Sequence, residues 1–166
     1  MPFRPYGANA EKVDLIPVLP STNTVNGEVA STDIGKLIVP SSHNGVLALG
    51  TTADTNTFLG IVAAVPVTST VGSTQPFYIR PIVRGALYKA NYSTSFSTSH
   101  PATTDIGKYV GLSNTTTVAG GSALDMSVIG NAPGTADSLF FRIAGYSTER
   151  NEVIGTFNSS HIATQI

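Results

Sequence analysis

The chain has 166 residues, of which 41% are hydrophobic and only 11% are charged, and its formal net charge is −1. This length suits a single folded domain that needs no metal or disulfide to stabilise it. Nine Lys and Arg residues against ten Asp and Glu residues exclude a basic nucleic-acid binder held by phosphate contacts, and also an acidic tail or a coiled coil. Because cysteine is absent, thiol catalysis, disulfide bonds and Cys-ligated zinc are excluded as well.

The first 14 residues differ from the rest and are predicted to form an extended N-terminal arm. Pro2 and Pro5 fix φ and remove backbone donors, so the segment is not helical. A frayed terminus is one interpretation. The other is that the arm carries Phe3 and Tyr6, which are costly to leave in water, to a groove on a partner.

From Leu15 onward, short apolar runs are broken about every 8 to 15 residues by Gly, Asn, Ser or Pro. This spacing is typical of an all-β sandwich or barrel, so residues 15–166 are predicted to form one barrel-like domain. Asn44-Gly45 predicts a hairpin, and the compositions of Thr68–Thr74 and Ser113–Ser122 predict loops. The predicted strands are Gly35–Val39, Gly45–Leu49, Phe58–Val67, Phe77–Arg84, Ala86–Tyr92, Gly107–Leu112, Leu124–Ile129, Ser138–Tyr146 and Glu152–Phe157.

One aromatic spacing is compatible with a helix. Tyr88, Tyr92 and Phe96 lie four residues apart, which would line one side of a helix. Ser and Thr dominate the surrounding sequence, so a strand followed by a loop is the prediction.

A seven-residue sequence occurs twice. Ala30–Lys36 (ASTDIGK) is echoed by Ala102–Lys108 (ATTDIGK), 72 residues later, and each copy leads into an apolar run. Asp33 and Asp105 are predicted to cap the two turns, and the glycine in each copy allows a positive φ. Two copies are too few for a solenoid, so they indicate two similar β-units within one domain.

Catalytic signatures are missing from the sequence. His43, His100 and His161 are widely separated, and none has a second ligand at a metal-binding spacing. The carboxylates form no pair at a telling spacing, although Asp125 and Asp137 could meet in space as a glycosidase pair does. No nucleophile elbow, phosphate-binding loop or dinucleotide fingerprint occurs. We therefore expect a protein that is not an enzyme and has no cofactor.

Two binding functions were weighed on the predicted strands. Alternation places Tyr78, Arg80 and Arg84 on one face, with Arg142 on another strand, where they could contact single-stranded nucleic acid. At this net charge a protein interface is favoured, because Arg and aromatic residues are enriched there. A carbohydrate module needs an aromatic platform, and the chain has no Trp.

No membrane segment is expected. The longest apolar run, Leu59–Val67, contains Gly60 and Pro66 and is too short to span a bilayer. The start of the chain does not resemble a signal peptide, so a soluble protein made in the host cytoplasm is expected. Edge strands with few charged residues favour a surface that is covered by other protein.

Five segments together resemble the capsid decoration, or cement, proteins of tailed bacteriophages. The resemblance covers roughly residues 28–146 and comprises Thr32–Lys36 (TDIGK), Gly45–Leu49 (GVLAL), Phe58–Val62 (FLGIV), Arg80–Leu87 (RPIVRGAL) and Thr104–Lys108 (TDIGK).

The resemblance implies a β-barrel or β-tulip-like domain that assembles as a homotrimer on the outer surface of the head. Its partner would be the major capsid protein, contacted through an N-terminal arm that here comprises Phe3, Arg4, Pro5 and Tyr6. Arg80 and Arg84 are the second-choice residues, for the interface between subunits. The alternative is a glycan- or receptor-binding β-module of a phage tail or cell surface.

Overall fold

The structure is a computed structural model that describes residues 3–18, 29–40, 47–49, 58–65, 70–71, 76–93, 100–112, 123–133 and 139–162. Its regular elements are almost all β-strands, which confirms the all-β class. The strands are β1 (Phe3–Pro5), β2 (Ile16–Val18), β3 (Val29–Ala30), β4 (Leu37–Pro40), β5 (Leu47–Leu49), β6 (Gly60–Ala64), β7 (Thr70–Val71), β8 (Phe77–Pro81), β9 (Tyr88–Asn91), β10 (Tyr109–Leu112), β11 (Leu124–Gly130), β12 (Phe141–Ser147) and β13 (Glu152–Phe157).

Helical structure is confined to short turns. The α-helix α1 (Ala8–Glu11) has a single turn, and 3₁₀ turns occupy Ser31–Asp33, Thr103–Asp105 and Ser159–His161. No helix among the described residues is long and apolar enough to cross a membrane.

Two antiparallel sheets carry the fold. The six-stranded sheet has the order β1-β9-β13-β12-β10-β11, and the five-stranded sheet has the order β2-β8-β6-β4-β5. Strands β3 and β7 form a separate two-stranded sheet. Neither large sheet closes on itself within the described ranges, so the single barrel is not confirmed.

The five-stranded sheet repeats within the six-stranded one. Strands β2, β8, β6, β4 and β5 have the same neighbours as β9, β13, β12, β10 and β11, and we call these sets the first and second units. The register corresponds too: Val62 pairs with Ile79 where Ile143 pairs with Gly155, and each pairing shows an irregularity directly afterwards. The two similar β-units predicted from the repeated sequence are therefore present, and only β1 lies outside them.

The repeated sequence forms the same turn in both units. Asp33 accepts hydrogen bonds from the backbone N–H three residues earlier (2.8 Å) and from the Lys ammonium three residues later (2.5 Å). Asp105 accepts the same two hydrogen bonds, at 2.9 and 3.0 Å. Gly35 and Gly107 have φ values of 92° and 91°, in the region that favours glycine. The predicted turn caps are confirmed.

The main hydrophobic core lies between the two large sheets, since its buried side chains come from both. Leu37 and Ile61 contribute from the five-stranded sheet, and Phe141 and Val153 from the six-stranded sheet. A second cluster occupies the other face of the five-stranded sheet, because side chains alternate along a strand. It contains Ile38, Leu59, Val62, Phe77 and Ile79.

The strand predictions are largely confirmed from β4 onward. Tyr88 and Tyr92 lie in extended chain, as predicted, while Phe96, the Asn44-Gly45 hairpin and the loop Ser113–Ser122 lie outside the described residues. The loop prediction is wrong at Thr70–Val71, which form β7. Strands β1, β2 and β3 and helix α1 were not predicted, because two- to four-residue elements are too short to show a period.

Candidate interaction surface

The carboxylates that the sequence offered for catalysis have structural roles where they are described. Asp33 and Asp105 hold the two turns. Asp125 accepts hydrogen bonds from the N–H and hydroxyl of Ser127, and Glu152 pairs with Arg4. No group of three His, Asp or Glu side chains that could hold a metal ion is found in the described ranges. This part of the chain therefore points to contacts rather than to catalysis.

The N-terminal strand is built into the protein's own sheet. Strand β1 pairs antiparallel with β9, and Phe3 donates its backbone N–H to the carbonyl of Gly35 at 2.9 Å. Phe3 is 0% exposed, and its ring centroid lies 5.8 to 6.4 Å from those of Phe140, Phe141 and Phe157. Phe3 has no surface left for a partner while β1 stays paired, so residues 3–5 are a strand rather than a projecting arm.

Sequence alone did not show why β1 joins β9 and not the equivalent edge strand β2. The Phe3 N–H points towards Gly35, so in an antiparallel pair it is Arg4 that faces the backbone of its register partner Lys89. The register places Pro17 of β2 at the position of Lys89. Proline has no N–H to donate, so the β2 edge lacks the donor that β1 uses.

Arg4 and Tyr6 lie on the outer side of this strand pair. The Arg4 guanidinium pairs with the carboxylate of Glu152, which ties β1 to β13. Tyr6 donates its backbone N–H to Leu87 at 2.9 Å, and the Lys89 ammonium lies 4.5 Å from the centre of the Tyr6 ring. Tyr6 and Leu87 remain exposed, so of the predicted arm residues Tyr6 has the most accessible surface.

Pro5 lies at the rim of a small cavity of about 180 Å³. This cavity lies beside β1, and its lining includes Phe3, Ile34, Ile61 and Arg80. It is bounded by the strand itself, so Pro5 acts here within the chain. A contact of Pro5 with a partner stays a prediction.

The two arginines predicted for a subunit interface have different environments. Arg80 donates a guanidinium hydrogen bond to the backbone carbonyl of Glu11, and so holds the end of α1 against β8. Arg84 lies in the exposed turn between β8 and β9 and lines a cleft with Ala8, Asn9 and Lys12. The structure thus brings Arg84, but not the already engaged Arg80, to an open surface beside the N-terminal segment.

Tyrosine side chains hold the strands behind this surface. Tyr88 accepts a hydrogen bond from the N–H of Val83 at 2.8 Å, which fixes the turn that carries Arg84. Burial raises the pKa of the Tyr88 phenol, and this outweighs the hydrogen bond from Val83 and the charge of Arg80. Tyr88 therefore stays neutral at physiological pH and acts as a structural acceptor.

Large apolar side chains remain exposed mainly around the N-terminal segment. The described residues contain five of them, and four lie along this segment or on the strands beside it: Tyr6, Leu15, Tyr78 and Leu87. Tyr78 points to the same side of β8 as Arg80, whose side chain reaches α1. We call Tyr6, Lys12, Leu15, Tyr78, Arg84 and Leu87 the N-terminal surface.

Sequence reasoning found part of this surface. The strand period identified Tyr78 and Arg84, and the arm prediction identified Tyr6. Lys12, Leu15 and Leu87 were missed, because their exposure depends on how residues 6–12 lie along residues 80–89. An apolar residue just before a proline-containing strand, as Leu15 is, was the one signal available.

Comparisons with family models, curated proteins and solved structures give no match for this chain. Its function therefore has to be argued from its own surface and from the sequence resemblance.

Proposed function

We propose that this protein is a structural virion protein that binds the outer surface of a tailed-phage capsid as a homotrimer and stabilises the head. The partner is the major capsid protein, and no catalysis, cofactor, nucleic acid or membrane is involved. The β-tulip-like closure and the virion location implied by the sequence resemblance belong to this proposal.

The N-terminal surface is the observation that carries the proposal. Four of the five exposed large apolar side chains in the described ranges gather there, together with cations that have no carboxylate partner. Aromatic residues and Arg at a site with few acidic groups are typical of protein interfaces. Buried pairs such as Arg4–Glu152 keep the segment fixed, so such a contact needs little further ordering.

The proposed mechanism is thermodynamic. A protein that binds only the assembled shell stabilises that shell by mass action. A trimer that contacts several capsid subunits raises the effective concentration of each contact, so individually weak surfaces hold firmly.

Co-sedimentation with heads assembled without this protein tests the proposal. Deleting residues 1–14 would remove Phe3 from the core, so surface substitutions are the cleaner variants. We expect Tyr6→Ser combined with Leu87→Ser to weaken head binding at least tenfold while the melting temperature changes little. Arg150→Ala, in the β12–β13 turn, is the control and should bind normally.

Two other results would contradict the proposal. Wild-type protein that does not sediment with heads would remove the virion role, and a glycan screen that yields a ligand would favour the glycan- or receptor-binding alternative. Light scattering over a dilution series checks the trimer, whose mass would be three times that of the 17.2 kDa chain.

A further inference from the structure

A cleft separates α1 from the turn between β8 and β9. Its volume is about 430 Å³, and it is lined by Ala8, Asn9, Lys12 and the residues from Val83 to Ala86. The hydrogen bond from Arg80 to the carbonyl of Glu11 fixes one wall, and that from Val83 to Tyr88 fixes the other. The cleft is therefore held open by contacts on both sides, at a size within the range of ligand sites.

The cations of this cleft differ from most others in the chain. All nine Lys and Arg residues lie in the described ranges, and six have a partner. Arg4, Lys36 and Lys108 pair with carboxylates, Arg80 and Arg142 donate to backbone carbonyls, and Lys89 lies over the Tyr6 ring. Lys12, Arg84 and Arg150 have no partner among the described residues, and the first two line the same cleft.

No carboxylate lines the cleft. Glu11 and Asp14 flank Lys12 in the sequence, but neither is among the lining residues, and neither forms an ion pair within the described part of the chain. The cleft is thus a positive site on a protein whose net charge is −1. Next to it, Tyr6 and Leu87 add an exposed apolar rim.

We propose that this cleft binds an acidic segment of a partner protein, with a carboxylate between Lys12 and Arg84 and apolar side chains on Tyr6 and Leu87. The inference rests on the proposed function in taking the partner to be a protein. A guanidinium binds a carboxylate through two parallel hydrogen bonds, while an ammonium adds a point charge. Two cations are too few to hold a nucleic-acid backbone, whose binding depends on many phosphate contacts.

The test uses the full-length chain in isolation, labelled with ¹⁵N, and a synthetic decaglutamate peptide as the probe. Titration should shift the amide signals of residues 8–12 and 83–86, with binding that weakens as salt is added. Lys12→Ala combined with Arg84→Ala should reduce the affinity at least tenfold. Arg150→Ala removes the third unpaired cation outside the cleft and should leave the affinity unchanged. Both cleft residues are exposed, so the double variant should melt normally.

Several results would overturn the inference. These are signals that do not move in the two ranges, affinity that the double variant retains, and inorganic phosphate binding as tightly as the peptide, which would make the cleft a general anion site. The head assay separates this inference from the proposed function. Heads that bind wild type and the double variant equally would overturn the cleft alone, whereas heads that bind neither would overturn the virion role and leave the peptide result to judge the cleft.

Discussion

The two copies of the Asp–Ile–Gly–Lys turn have the same backbone and hydrogen bonds but different surroundings. In the first unit the side chains of Lys36 and Asp33 are 9% and 10% exposed, and in the second unit those of Lys108 and Asp105 are 34% and 14% exposed. The copies therefore show how one local solution is stabilised once in the interior and once near solvent.

What covers each turn explains the difference. The carbonyl of Gly35 accepts the backbone N–H of Phe3, so strand β1 lies on the first turn. The corresponding carbonyl of Gly107 accepts the exposed guanidinium of Arg142 at 3.2 Å. Ile106, the counterpart of the half-buried Ile34, is 50% exposed. A side chain thus takes in the second unit the place that a whole strand takes in the first.

The sheet positions beside the turns changed in step. Register equates Leu37 with Tyr109 and Ile61 with Arg142. The first-unit residues are buried between the sheets, whereas Arg142 is exposed. Duplication conserved the hydrogen-bonded frame, and burial decided which side chains it carries.

Removing the cover of the first turn should have the largest effect. Phe3→Ala deletes a ring that packs against three other phenylalanines, so we expect a loss of about 3–5 kcal/mol in the free energy of unfolding. Urea denaturation measures it. Tyr6→Ala, on the exposed residue of the same segment, should cost under about 1 kcal/mol. Equal losses for the two variants would mean that β1 does not form part of the core.

The ion pairs test the comparison directly. Lys36→Met leaves the Asp33 carboxylate buried without its cation, so it should cost about 3–5 kcal/mol. Lys108→Met removes the same pair where it is more accessible to water, and should cost about 0–1 kcal/mol. Denaturation of the two variants side by side would contradict the comparison if the losses were alike.

The sheet interiors offer a third test, because large and small residues have exchanged positions. Register equates Gly60 with Phe141 and Ile79 with Gly155. A Cβ on Gly60 would lie 3.2 Å from the Ile79 side chain, and one on Gly155 would overlap the Phe141 ring and the Arg142 carbonyl.

We therefore expect Gly155→Ala to cost about 1–3 kcal/mol through overpacking against backbone. Gly145→Ala is the matched control, since a Cβ there meets nothing within 4 Å and its φ is not positive. It should change the free energy of unfolding by less than about 0.5 kcal/mol. A tolerated Gly155→Ala would contradict the close approach of β12 and β13.

The smallest expected effect concerns pH. His161 is 3% exposed, its Nε2 has no hydrogen-bond partner, and its carbonyl accepts the N–H of Phe58 at 2.7 Å, next to the first unit. Burial lowers the pKa of His161 below its ordinary value of 6.5, so the unfolded chain takes up a proton before the folded one does. Stability should be constant with pH above about 6.5 and fall below it, by at most about 1.4 kcal/mol per pH unit.

His161→Gln should remove this dependence, whereas the exposed His100→Gln should keep it. Unfolding curves between pH 5 and pH 8 measure both variants. A slope that survives in His161→Gln would assign the pH dependence to another group.

Much of the second unit could be predicted from the sequence, since its strands are long enough to show alternation and its turn repeats a motif. The N-terminal strand could not be. Pro5 and Pro17 both looked like signals against strands, yet Pro5 sits at a sheet edge and Pro17 marks an edge left unpaired on its outer side. The fate of Phe3 depended on rings more than 130 residues away, and the cleft depended on bringing Lys12 to Arg84. No local pattern encodes either contact.

The pairing of Arg4 with Glu152 also constrains when the fold can be completed. The two residues are 148 positions apart, so during synthesis β1 has no ion-pair partner until nearly the whole chain has been made. At ribosomal rates of about 5–20 residues per second, that interval is roughly 7 to 30 seconds. Phe3 is therefore among the first residues to leave the ribosome and among the last to be enclosed, and for that time its ring is available to any chaperone that recognises exposed aromatic residues.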